Sequence, residues 1–116
     1  MIILDSTLKK LQLTTSTAVN TDYYVAWADI TTSAFTPGES DGQITTATTT
    51  DILAAPASST QRQVKYISIV NRSTTTAQNI TLLYNNNGTT RNLTTTLSLQ
   101  PGEQLQYTQE SGWKPF

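Results

Sequence analysis

The run Asn79-Ile80-Thr81-Leu82-Leu83-Tyr84-Asn85-Asn86-Asn87-Gly88-Thr89-Thr90-Arg91-Asn92-Leu93-Thr94-Thr95-Thr96-Leu97-Ser98-Leu99 decides the fold class. In its first part Ile80, Leu82 and Tyr84 alternate with Asn79, Thr81 and Leu83. In its last part Leu93, Leu97 and Leu99 share one face with Thr95, and the other face is wholly polar. Period two is the spacing of a half-buried strand, because successive side chains point to opposite sides of a sheet. Between the two runs Asn87-Gly88 supplies the positive φ angles that a tight reversal demands, so the segment is expected to form an antiparallel hairpin.

Downstream, Gln100-Pro101-Gly102-Glu103 suits a type II turn, after which Gln104–Tyr107 alternates again with Leu105 and Tyr107 inward. A turn at Glu110-Ser111-Gly112 precedes a short strand, Trp113–Phe116, with Trp113 as a core or interface anchor. Upstream, Gln63–Asn71 is nearly continuously apolar and β-branched and reads as a central strand covered on both faces. Further strand candidates are Leu8–Leu13, Tyr23–Ile30 and Gln43–Leu53. In the second of these, Tyr23, Val25 and Trp27 form one face, and the other is small apart from Tyr24 and Ile30. Thr45–Thr50 reads as an edge strand or as a lip that pairs with a neighbouring subunit. Thr36–Gly42, rich in Pro, Gly and acids, reads as a loop, and Ala54–Thr60 as a linker between sheets.

Thr supplies about one residue in five and is a poor helix former, and no stretch carries a helical apolar stripe over three turns. The expected fold is therefore all-β: an antiparallel β-sandwich, jelly-roll-like, with seven to eight short strands. One domain spans residues 11–116, and residues 1–10 are either an N-terminal arm or an edge strand of the same sandwich.

Composition limits the chemistry. The chain has 116 residues, no His, no Cys, and 7 Lys+Arg against 8 Asp+Glu, for a net charge of −1. That inventory excludes disulfides, imidazole or thiolate metal sites and nucleophiles activated by His. The scattered basic residues give no field to gather phosphates, so no nucleic acid partner is expected. The start Met1-Ile2-Ile3-Leu4 reaches an acid at Asp5 and reads as neither a membrane span nor a signal peptide. Glu39 and Asp41, in the Gly-bearing stretch, are the best oxygen ligands for a hard cation, but they read first as a solvated acidic loop. Catalytic, cofactor and metal residues are expected to be absent.

The C-terminal half, from Arg62-Gln63-Val64-Lys65-Tyr66-Ile67-Ser68-Ile69-Val70-Asn71 through Leu97-Ser98-Leu99-Gln100-Pro101-Gly102-Glu103-Gln104-Leu105-Gln106-Tyr107 to Gly112-Trp113, resembles small virion proteins of tailed bacteriophages. There a strand ending in Asn is followed by a polar hairpin, a Leu-x-Pro-Gly-Glu turn, an aromatic strand and a terminal Gly-Trp. The opening Leu4-Asp5-Ser6-Thr7-Leu8-Lys9-Lys10-Leu11 also looks like the start of such proteins. The resemblance implies a capsid decoration (cement) protein at the virion surface. Its partner would be the major capsid protein, and it would be a homo-oligomer with a trimer favoured. The alternative is a tail, neck or fibre component that recognises host glycans through stacked aromatics. Candidate partner-binding residues are Ile2, Ile3 and Leu4, apolar and without an obvious local strand partner, together with Tyr23, Tyr24, Trp27 and Trp113.

Overall fold

The computed structural model describes residues 1–115. Phe116, expected to end the last strand, lies outside the described residues. Two antiparallel sheets pack as a sandwich. The first runs in the order β11 (Gly112–Pro115), β10 (Gln104–Thr108), β6 (Gln61–Asn71), β3 (Thr21–Ile30), β4 (Phe35–Ile44), with β1 (Ile2–Leu4) also on β6. The second runs β5 (Thr49–Leu53), β2 (Lys9–Thr15), β7 (Gln78–Asn86), β8 (Thr89–Asn92), with β9 (Leu97–Leu99) also on β7. No helix occurs among the described residues. The β3·β6 pair in one sheet and the β2·β7 pair in the other nest within each other along the chain. That is wrapped, jelly-roll-like connectivity, with eleven strands among the described residues rather than seven or eight.

The Asn-Gly hairpin forms as expected. Asn86 pairs with Thr89, and Asn87 and Gly88 take φ of 51° and 89°, the signs of a type I′ turn. Its return strand is broken, however. Leu93–Thr96, four residues, stand against Thr81 and Leu82 alone. Threonine hydroxyls replace the missing ladder bonds: the Leu82 amide donates to Thr94 Oγ1 (3.2 Å), and the Thr81 and Thr96 hydroxyls lie 3.0 Å apart. The insertion is even, so Leu93, Leu97 and Leu99 still pack on the core as their spacing implies.

Three other expectations are corrected. Thr36–Gly42 is no loop but the middle of β4, paired with β3 in an unbroken ten-residue register. Gly38 faces Trp27 and Gly42 faces Tyr23, and the aromatic rings lie over these glycines. A Cβ at Gly38 would fall 2.5 Å from the Trp27 ring, and one at Gly42 2.7 Å from the Tyr23 hydroxyl. Pro37 is tolerated because β4 is an edge. Thr31 N–H donates to Ala34 O (3.0 Å) and closes the hairpin; bonded and non-bonded pairs alternate from there, so the Pro37 nitrogen faces open solvent.

The apolar run in β6 is not covered by a layer on both sides. One residue, Lys65, is bulged out between the registers of β3, so that Val64 and Ile67, three apart, both point into the core. Tyr66, Ser68 and Val70 are only half-buried. The Gln43–Leu53 candidate is likewise two strands, with Thr45–Thr48 turning between them; Thr49 and Thr50 open β5, an edge strand as the first of the two readings expects, paired with β2 of the same chain and not with a neighbour.

The core is filled by residues such as Leu11, Leu13, Val25, Ile67, Ile69 and Leu82. Two buried amides pin the crossings between sheets. Gln78 is fully buried: its Oε1 accepts from the Ser16 and Thr17 amides (3.1 and 2.9 Å), and its Nε2 donates to Thr17 O and Thr21 Oγ1 (2.7 and 3.1 Å). Asn71, equally buried, donates from Nδ2 to Thr76 O and Leu99 O (both 2.9 Å) and accepts from the Ser73 amide (3.0 Å). A buried amide is tolerated only when its donors and acceptors are matched, as here.

Candidate functional site

The seven residues expected to meet a partner divide by face. Ile2 and Leu4 pair through β1 with Val64 and Arg62, and Leu4 is fully buried in the core. Residues 2–4 are thus an edge strand of their own sandwich, and Leu4 is not available to a partner. Tyr23 and Trp27 pack against the core over Gly42 and Gly38. The Trp27 ring is further held by the Arg62 guanidinium, 3.9 Å from its centroid, which is clamped by Asp29 through two bonds of 2.8 and 3.0 Å. Trp113 packs on Tyr107 with ring centroids 4.9 Å apart. These are structural positions.

Burial pushes the Tyr107 phenol above its usual range, and its hydroxyl faces the Ile2 backbone without reaching hydrogen-bond geometry. Tyr107→Phe is therefore expected to leave stability unchanged or raise it by up to about 1 kcal/mol, since an unmatched buried hydroxyl is removed. A loss of that size in urea unfolding would mean that the Ile2 contact is a real bond.

Ile3 and Tyr24 remain, 38% and 40% exposed. Both lie on the outer face of the β4–β3–β6–β1 sheet: Ile3 lies opposite Gln63, which pairs with Ala28, and Ala28, Ala26 and Tyr24 alternate along that face of β3. Two more aromatic residues join them, of which only Phe35 carries no signal in the sequence. Phe35, 63% exposed, sits opposite Ile30, and Tyr66 packs 6.2 Å from Tyr24 with the rings tilted by 59°. Phe35 stands just before the Pro/Gly-rich stretch Thr36–Gly42, so no alternation in the sequence places it on a strand face. Glu39 and Asp41 lie opposite Ala26 and Tyr24 on β4, so both acids border this apolar face rather than lining a loop. Among the described residues no three potential metal ligands come together.

Among the described residues, the outer face of the other sheet exposes no aromatic ring. Lys10 and Gln12 both bond Asp51 (3.0 and 2.7 Å), Asn85 donates to Gln12 (3.0 Å), and the Thr14 and Thr49 hydroxyls lie 2.9 Å apart. These polar groups already satisfy one another. The Gln12 hydrogen bond, followed by Lys10, holds the Asp51 carboxyl below the usual carboxylate range. Its stabilisation is present above that range and is lost as pH falls through the lowered folded value. Asp51→Asn is expected to flatten the acid limb of the stability-versus-pH curve; an unchanged limb in acid titration followed by circular dichroism would contradict this.

An open cleft of about 350 Å³ at one end of the sandwich is lined by Asp5, Ile30, Thr31, Thr32, Ser59, Thr60 and Gln61. It offers a single carboxylate, and Asp5 is ion-paired with Lys9. Asp22, Asp29 and Asp51 are likewise paired, with Arg72, Arg62 and Lys10. No protein-family model matches the sequence, and comparisons with curated proteins and with solved structures give no match.

Proposed function

We propose that the chain is a non-enzymatic structural protein of a tailed-phage virion, a decoration protein that seats the outer face of the β4–β3–β6–β1 sheet on the capsid and bridges major capsid subunits. The observation that carries this reading is the asymmetry between the two outer faces. One exposes Ile3, Tyr24 and Phe35 between its own side-chain hydrogen bonds, and the other is dominated by a ladder of such bonds with the half-buried Leu83 as its apolar member. Apolar and aromatic side chains gain by leaving water, whereas groups already bonded to each other gain little from a new partner. The resemblance of residues 62–113 to small virion proteins supplies the identity of the surface. Repetition of identical sites on a shell makes a modest contact sufficient through avidity, and more so for a homotrimer.

The tail or fibre alternative, with aromatics stacked on glycans, draws on the same Tyr24 and Tyr66. Their 59° tilt does not form the coplanar platform that a sugar ring would lie on. Cryo-electron microscopy of particles carrying the chain tests the two readings, with density expected over the head. The paired change Tyr24→Arg and Phe35→Asp is expected to lower occupancy about tenfold or more while leaving the fold intact, the scale of losing aromatic anchors. Density confined to the tail, or undiminished occupancy, would overturn the proposal.

A further inference from the structure

The tip of the β7–β8 hairpin is a chemically reactive site held in check. In an Asn-Gly pair the glycine nitrogen can lose its proton and attack the Asn side-chain carbonyl. The new N–Cγ bond closes a five-membered imide, and the side-chain nitrogen leaves as ammonia. Water then opens one of the two imide C–N bonds, leaving aspartate or, if the other bond opens, isoaspartate with one more atom in the backbone. Asn87-Gly88 is exposed to solvent at this tip and has no side chain on Gly88 to obstruct the attack.

Two contacts oppose the reaction. The Gly88 N–H donates to Asn85 Oδ1 at 2.8 Å, so the nucleophile must break a hydrogen bond before it can be deprotonated, and the Asn87 N–H is held by Leu8 O at 2.9 Å. Asn85 is itself fixed from its other end. Its Nδ2 donates to Gln12 Oε1 (3.0 Å), and Gln12 Nε2 donates to Asp51 Oδ1 (2.7 Å), which Lys10 also bonds. The chain of bonds runs from the hairpin tip across β7 and β2 to β5. We infer that Asn87 is a spontaneous deamidation site whose rate is set by Asn85, with Gln12 acting as a positioning residue at a distance.

The test is to incubate the full chain at mildly alkaline pH, below its melting temperature, and to follow conversion at residue 87 by peptide mapping with mass spectrometry. Wild type is expected to react more slowly than a synthetic Tyr84–Arg91 peptide. Asn85→Ala, which deletes the acceptor, is expected to react about five- to tenfold faster than wild type, the rate equivalent of one lost hydrogen bond. Gln12→Ala is expected to fall between the two, because Asn85 is still present but no longer held. Asn85→Asp gives up the Nδ2 bond to Gln12 but keeps an acceptor and adds a negative charge beside the nitrogen that must be deprotonated, and the charge outweighs the lost bond, so its rate should be at or below that of wild type. If Asn85→Ala loosens the fold, the aspartate variant decides the matter. A faster rate in it, an unchanged rate in a folded alanine variant, or a wild-type rate equal to the peptide's would overturn the inference.

Discussion

Gln78→Leu is expected to cost about 2–3 kcal/mol, a sizeable share of the roughly 5–15 kcal/mol that holds a domain together. Leucine fills nearly the same volume and is more apolar, so a reading based on burial alone gives the opposite sign. The loss arises because the Thr17 amide would be left without a partner, while the Ser16 amide, the Thr17 carbonyl and the Thr21 hydroxyl would each lose one of two bonds and keep those to Asn79 O, the Val19 N–H and Val19 O. The bonds lie at the crossing from β2 to β3, so the damage should concentrate there. Hydrogen exchange at Ser16 and Thr17 should accelerate before the rest of the molecule opens. Urea unfolding showing a change under about 1 kcal/mol would mean that water replaces the amide without penalty.

The second large effect is expected at Gly38. Glycine to alanine in a strand ordinarily stabilises by about 0.5–1 kcal/mol by restricting the unfolded chain. Gly38 has no positive φ to forbid the change, yet the new methyl group would fall 2.5 Å from the Trp27 ring, which cannot retreat while Arg62 lies 3.9 Å from its centroid on a carboxylate clamp. Gly38→Ala is therefore expected to destabilise by about 2–3 kcal/mol, the scale of overpacking in a well-filled site. Trp27→Leu in the same chain should remove most of that cost, a coupling of at least about 1 kcal/mol in a double-mutant cycle. Additive effects would show that the ring and the glycine do not meet. Gly42→Ala should be milder, because the Tyr23 hydroxyl end is free to swing outward.

These two sites show what a one-dimensional reading can and cannot reach. The alternation around Asn87-Gly88, the Pro101-Gly102 turn and the inward Leu105 and Tyr107 are local signals, and each appears in the structure where expected. β4 was missed because Pro, Gly and acids are loop formers on average and edge-strand residues in particular cases. The distinction depends on Tyr23 and Trp27, residues that become neighbours only after the strands pair. Lys65 misled for a similar reason, since a bulge shifts the inward positions by one and makes an alternating strand look continuously apolar. At the candidate surface, Ile3 and Tyr24 were legible as apolar residues without an assigned place. Leu4 was not separable from Ile3, because only pairing with β6 decides which of two adjacent side chains turns inward. Gln78 carried no signal at all, as nothing in a lone glutamine announces that four groups will converge on it.

The shared margin of β6 has a consequence in time. Ile2 pairs with Val64, so during synthesis β1 has no partner until 62 further residues have been made. At about 5–20 residues per second that interval is roughly 3–12 s, during which Ile2, Ile3 and Leu4 travel as an unpaired apolar segment within reach of chaperones and proteases. The slot that receives them, beside the end of β10, is completed later still, when Thr108 comes to lie against Tyr66. A strand made before its sheet is thus among the last to find its place, and its exposure in the meantime scales with the time needed to make β2 through β10.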